Sequence, residues 1–247
     1  MLDYLVLAAA AFAAGLLNTI AGGGTFLTFP ALVYTGVPVV AANATSAVAV
    51  LPGYLGGVAG FRKEIAALDR ALLVKVVLAT AFGGFLGSLL LLISTNEAFS
   101  AVVPFLLLAA TLAFAFGERL QGWARRRQLA PGGPVGTVLV SIYGGYFNGG
   151  LGIVLLALFS LWGMRDLNAM NGLKNALSFV LSAISVATFA AAGLVSWPQA
   201  ILMMVAATIG GYAGAPVAKA LPRQAVRAIV IAVGTVMSIV FFWRLFS

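Results

Sequence analysis

The sequence predicts an all-α integral membrane protein of two inverted-topology repeats, each a short, broken helix pair followed by three full transmembrane helices. Three observations predict it. The 247-residue chain is 62% hydrophobic and only 8% charged, where a soluble domain carries about 25% charged residues. Several apolar runs reach the roughly 20 residues that cross the hydrocarbon core as a helix. Clusters of Asn and Gly interrupt such runs at corresponding places in the two halves of the chain. Composition also excludes chemistry. Without Cys or His there is no thiol chemistry and no imidazole metal site. No Ser/His/Asp or paired-carboxylate arrangement offers an intramembrane hydrolase, so the expectation is a non-enzyme with no cofactor.

The opening "MLDYLVLAAAAFAAG" has Asp3 as its one charge and lacks the basic region of a signal peptide. It reads as a retained helix over 2–21. "NTIAGGGT" breaks it, and a second segment over 25–37 is too short to span alone at ~1.5 Å per residue. Helices then follow over 41–61, 69–93 and 97–118. The linker 119–133 carries Arg125, Arg126 and Arg127 and ends in "PGGP". The second half repeats the pattern: a helix over 134–148, a short one over 151–163, then 167–193, 197–219 and 223–246.

Loop charge assigns the sides. "FRKEIAALDR" (61–70), "ERLQGWARRRQ" (118–128) and "KALPRQAVR" (219–227) hold most of the Lys and Arg, which places them in the cytoplasm. "ISTNEA" (93–98) and "GLVSWPQ" (193–199) have no basic residue and fall outside. These clusters explain the net charge of +8 as topology, not as a nucleic-acid surface. If each short segment re-enters beside its predecessor, both termini lie outside. Each half then makes an odd number of net crossings, and the halves insert in opposite senses.

An internal repeat supports this division into one transmembrane domain over 1–247, with repeat one at 1–118 and repeat two at 134–247. "GLLN" (15–18) pairs with "GYFN" (145–148), Gly36 with Gly163, and "GGFLG" (83–87) with "GGYAG" (210–214). Inverted repeats with interrupted helices place a transport site near the midplane, where the halves meet.

The breaks supply the candidate site. Asn18, Thr19, Gly22, Gly23 and Gly24 form one junction, and Asn148, Gly149 and Gly150 the other. Non-helical backbone at membrane depth must line a cavity or be buried in protein, and glycine lets a ligand approach the main chain. Short helices starting there aim free N–H groups inward, toward an anion. Isolated glycines such as Gly56, Gly57 and Gly87 read instead as helix-packing positions. A second polar set opens the following helices: Asn43, Thr45 and Ser46 in the first half, Asn171, Lys174 and Asn175 in the second. Both sets are expected to face one cavity. Lys174 lies ~13 Å of helix beyond Arg165. An intramembrane ammonium is costly unless paired or hydrated, and no carboxylate lies at comparable depth, so it calls for an anionic ligand. The alternative is snorkelling toward the cytoplasm.

At these residues the chain resembles the sulfite exporter TauE/SafE family. "NTIAGGGTFLTFPAL" with "GVPVVAANATSAVAVLPG" is similar to that family's first-half pattern, and "GGYFNGGLGI" with "NGLKNAL" to its second-half pattern. The resemblance implies a multi-pass protein of the bacterial inner membrane and a small anionic substrate: sulfite, an organosulfonate or a related sulfur-containing anion. Transport of another small anion, such as a carboxylate or an amino acid, and a non-transporting accessory role remain the alternatives at this point.

Overall fold

The computed structural model describes residues 2–20, 23–127, 133–220 and 223–246. Among these the chain forms eleven helices and no strand: α1 (Leu2–Ile20), α2 (Thr25–Tyr34), α3 (Val39–Gly60), α4 (Arg62–Ala66), α5 (Arg70–Ile93), α6 (Asn96–Arg127), α7 (Pro134–Tyr146), α8 (Leu151–Leu161), α9 (Leu167–Ala191), α10 (Trp197–Ala220) and α11 (Arg223–Phe246). Four stretches are long and apolar enough to cross a membrane among the described residues: Val39–Gly60, Arg70–Ile93, Asn96–Ala113 and Leu167–Ala191. Their outward faces are apolar. On α5, for instance, Leu78, Phe82, Phe85 and Leu89 are exposed at helical spacing, as a lipid-facing stripe requires.

The predicted segments all form, with three differences. The loop at 61–70 contains the one-turn α4, whose Ile65 lies against Gly172 of α9. Helix α6 runs on to Arg127, through the first part of the predicted linker 119–133. After Pro104 no further Pro occurs before "PGGP", and its 32 residues span ~48 Å at 1.5 Å each, more than the hydrocarbon core. Helix α7 stops at Tyr146 after 13 residues, so both members of the second broken pair are too short to cross.

The helix ends are set locally. Asp69 caps α5 by accepting from the Ala71 and Leu72 N–H groups, and Asp166 caps α9 through Asn168 and Ala169, each satisfying orphan donors of a first turn. Helices α2 and α8 end in the same motif. Gly36 (φ 86°) and Gly163 (φ 81°) adopt the left-handed conformation that glycine takes without penalty. The Val37 N–H then donates to the Leu32 carbonyl, and the Met164 N–H to that of Phe159.

Packing follows an exchange pattern between the halves. Helices α3 and α9 cross at the centre, α1 lies along α10 while α7 lies along α5, and α6 pairs with α11. Phe29 of α2 ties several of these together. It meets Phe99 and Phe147 edge-on at 6.3 and 5.8 Å and stacks on Phe241 at 5.7 Å, geometries that favour aromatic pairs beyond their buried area.

The α1–α10 and α7–α5 contacts are backbone to backbone. A Cβ on Gly15 would lie 2.0 Å from the Ala207 carbonyl oxygen, and one on Gly145 would lie 2.4 Å from that of Gly84. Likewise a Cβ on Gly210 would meet the Phe12 oxygen at 2.1 Å, and one on Gly87 the Ile142 oxygen at 2.2 Å. These contacts pair Gly210 with Gly87, one helical turn away from its sequence match with Gly83. Gly87 is the packing position expected of it. Gly56 is not, since a Cβ there would meet nothing within 4 Å.

Candidate functional site

The first junction is organised by Asn18. Its Oδ1 accepts from the Gly24 N–H at 2.8 Å, so a side chain at the end of α1 caps the start of α2. Glycine is required at 24 because a Cβ would fall 2.7 Å from Asn18 Nδ2 and 2.9 Å from the Ala14 oxygen. Thr28 in turn donates to the Gly24 carbonyl at 3.2 Å and shares a 2.6 Å hydrogen bond with Ser46 of α3. Gly22 and the side chain of Thr19 lie outside the described residues. Gly23 takes φ 98°.

The second junction is built differently. Asn148 takes the left-handed conformation (φ 62°), as does Gly150 (φ 70°); Asn is among the few side-chain-bearing residues that tolerate it. The Tyr143 hydroxyl donates to the Gly149 carbonyl. Asn148 is 7% exposed, its Nδ2 approaches Ser182 Oγ at 3.5 Å, and its Oδ1 has no hydrogen-bond partner among the described residues. The Gly150 and Gly152 N–H groups at the start of α8 also find no partner among them. The two junctions meet the same part of α3. A Cβ on Gly53 would lie 3.9 Å from Asn18 Nδ2, and the hydroxyl of the next residue, Tyr54, lies beside Asn148.

Lys174 joins the second junction. A Cβ on Gly152 would lie 3.3 Å from Lys174 Cδ, so its stem runs across the first turn of α8. Its ammonium donates to Asn171 Oδ1 at 3.1 Å, and Asn171 Nδ2 donates to the Leu167 carbonyl at 2.9 Å. The charge therefore reaches back one turn toward the start of α9, the direction that snorkelling takes, while its stem stays at the broken helix. Asn175 of α9 packs against α3, where a Cβ at Gly57 would fall 2.5 Å from its Cγ.

Asn43 and Thr45 lie elsewhere. Asn43 Nδ2 donates to the Tyr146 carbonyl at 2.8 Å, and Thr45 Oγ1 accepts from the Ser196 N–H at 3.0 Å. Because Asn175 is level with Gly57 and Gly172 with Phe61, α9 runs antiparallel to α3. The polar sets that open the two helices thus sit at opposite ends of the pair. The expectation that both face one cavity in this conformation is not met: Asn18, Gly24, Asn148, Gly149, Gly150, Asn171, Lys174 and Asn175 cluster from mid-pair to the Lys174 end, and Asn43 and Thr45 are at the other.

The sequence reading passed over Tyr54, Gly53 and Ser182. A Tyr among small residues directly after Pro52 and Gly53 was the available signal, yet only the crossing of α3 and α9 brings it to Asn148.

Replacing Asn18 by Ala is expected to destabilise the protein by about 1–3 kcal/mol, the cost of leaving a buried donor unsatisfied. Thermal unfolding in detergent measures this, with Asn18→Asp, which keeps the acceptor, retaining more of the stability.

A model of the family described as "Sulfite exporter TauE/SafE" matches residues 7–241. The chain is 28% identical over 230 residues to a "Probable membrane transporter protein" of Haemophilus influenzae, covering 92% of this chain and 89% of that one. It is 28% identical over 234 residues to "Probable membrane transporter protein ORF9" of a Sinorhizobium species, with 93% and 88% covered. Against "Probable membrane transporter protein YfcA" of Escherichia coli K12 the identity is 26% over 242 residues, with 92% and 85% covered. No solved structure matches. With the match spanning nearly the whole chain, this multi-pass membrane protein belongs to the sulfite exporter TauE/SafE family.

Proposed function

We propose that this protein is a secondary membrane transporter that exports small sulfur-containing anions, such as sulfite or an organosulfonate, by alternating access between two inverted halves. The observation that carries the reading is the meeting of Lys174 with the start of α8, where a cation's stem crosses Gly152 and two backbone N–H groups, of Gly150 and Gly152, have no partner among the described residues. Unpaired helix-start donors and an ammonium favour the same ligand, a compact oxyanion. Asn18, Asn148, Asn171 and Asn175 supply amide contacts around it. The family and the names of its relatives support the transporter class.

On our reading the basic loops, and with them the Lys174 end, face the cytoplasm. An inside-negative potential then drives an anion outward by about 2.3 kcal/mol per charge per 100 mV. The six acidic residues of the chain are Asp3, Glu64, Asp69, Glu97, Glu118 and Asp166; Glu118 is exposed within α6 and the others lie at helix ends or in the short α4, so no carboxylate is among the junction residues to carry a coupled proton. We expect export driven by the potential or by the substrate gradient.

Purified protein in liposomes, challenged with sulfite, thiosulfate, small sulfonates and matched carboxylates, tests this. A saturable current selective for sulfur anions is the expected result. Saturable current with carboxylates instead changes the cargo; silence with every anion, from folded protein, overturns the transport reading.

A further inference from the structure

Asn43 and Asn171 occupy the same place in their halves. Each is the fifth residue of its helix, α3 starting at Val39 and α9 at Leu167. Each helix follows a short one closed by a left-handed glycine, Gly36 or Gly163. Yet their amides do different things. Asn43 crosses to the other half and holds the last carbonyl of α7, Tyr146, at 2.8 Å. Asn171 stays within its own helix, bonding Leu167 and accepting from Lys174.

The surroundings differ in the same sense. At the Asn43 end two more polar contacts join the halves, the Ser196 N–H to Thr45 at 3.0 Å and the Ser94 hydroxyl to that of Tyr146 at 3.3 Å. Asn43 is 4% exposed, and Thr45 and Ser46 are 0% exposed. Their counterparts by position, Leu173 aside, are half-buried: Asn171 and Lys174. A cavity of about 540 Å³ opens at the surface of the Asn43 end, its wall including Ala41, Ser94, Asn96 and Ser196; Asn43 and Thr45 lie further along α3. The Asn43 end is therefore held by polar contacts between the halves, whereas at the Lys174 end the halves meet through apolar side chains, Phe61 and Ile65 against Gly172.

Gly15 and Gly145 pack equivalently on α10 and α5, so the counterpart of Tyr146 is Leu16, near the end of α1. We infer that Asn43 and Asn171 are paired positioning residues that take turns: Asn43 holds the α7 tip through the Tyr146 carbonyl in the conformation described here, and Asn171 holds the α1 tip through the Leu16 carbonyl in the opposite one. Releasing one amide and engaging the other exchanges which end of the α3–α9 pair is sealed. Lys174 then loses Asn171 as its partner when its end closes, so the hand-over couples the counter-charge to the gate. The inference builds on the alternating-access reading and adds the residues that carry the alternation.

The chain has no cysteine, so a single introduced one is a unique reporter. Ser46→Cys and Asn175→Cys, one at each end, are labelled with a membrane-impermeant maleimide in solubilised full-length protein. At rest Asn175→Cys reacts and Ser46→Cys is protected. Adding Asn43→Ala is expected to raise labelling of Ser46→Cys at least tenfold and to lower that of Asn175→Cys; adding Asn171→Ala leaves Ser46→Cys protected. Asn43→Asp, which keeps the size but cannot donate to Tyr146, serves where the Ala variant does not fold. Labelling that rises at both ends reports local loosening and overturns the inference, as does no change at either end. Labelling does not depend on any substrate, so reciprocal change without anion current sinks the proposed cargo and leaves the hand-over, while current without reciprocal change does the reverse.

Discussion

Lys174→Gln is expected to raise the half-saturating anion concentration in the liposome assay at least about tenfold, since a hydrogen bond to a charged group contributes ~1.5–3 kcal/mol. The fold should survive. Lys174 is the eighth residue of α9, ~10 Å along the helix from its start, and its recorded hydrogen bond is to a neutral amide, Asn171 Oδ1. Removing a membrane-embedded ammonium that has no carboxylate partner among the described residues relieves a desolvation cost. The variant's unfolding temperature should be unchanged or higher while its affinity falls, and that combination separates ligand binding from folding. Lys174→Arg keeps the charge but spreads it over a planar fork on a stem that must still cross Gly152, where an added Cβ would lie 3.3 Å from the present stem; it should recover part of the affinity. A Gln variant with unaltered half-saturation would remove the ammonium from the site and leave Lys174 a snorkelling residue.

The parts of this site that could be read in the sequence are those whose cause is local. Asn18 with Gly23 and Gly24, and Asn148 with Gly149 and Gly150, mark the breaks because lipid does not tolerate unsatisfied backbone, so residues that end helices there must have a use. The short helices were legible for the same reason, down to the glycines that close them. What escaped is set by tertiary packing. That Asn43 and Lys174 lie at opposite ends follows from the antiparallel run of α3 and α9, a consequence of inverted halves that the expectation of one shared cavity overlooked. Tyr54 reaches Asn148 through the same crossing. The pairing of Gly210 with Gly83 instead of Gly87 is a one-turn slip, and a GGxxG pattern invites it: small residues recur every four positions, so a shift by one turn matches almost as well.

The close helix contacts that set this register can be checked. Gly87→Ala and Gly15→Ala are expected to be severely destabilising, above about 3 kcal/mol and near the upper end for single substitutions. The Cβ would sit 2.2 Å from the Ile142 oxygen in the first case and 2.0 Å from the Ala207 oxygen in the second. The obstacle is main chain on a neighbouring helix, which no rotamer change can move, so α5 must separate from α7 or α1 from α10. Gly210→Ala should match Gly87→Ala in severity, since its Cβ would lie 2.1 Å from the Phe12 oxygen. Gly56→Ala is the contrast, with nothing within 4 Å and a helix interior that favours Ala by roughly 1 kcal/mol; it should be neutral or stabilising. Thermal unfolding of the four variants in detergent reads the differences directly. If Gly15→Ala and Gly87→Ala unfold like the parent chain, the close approach of these helix pairs is wrong, and with it the equivalence of Leu16 and Tyr146 on which the hand-over between Asn43 and Asn171 depends.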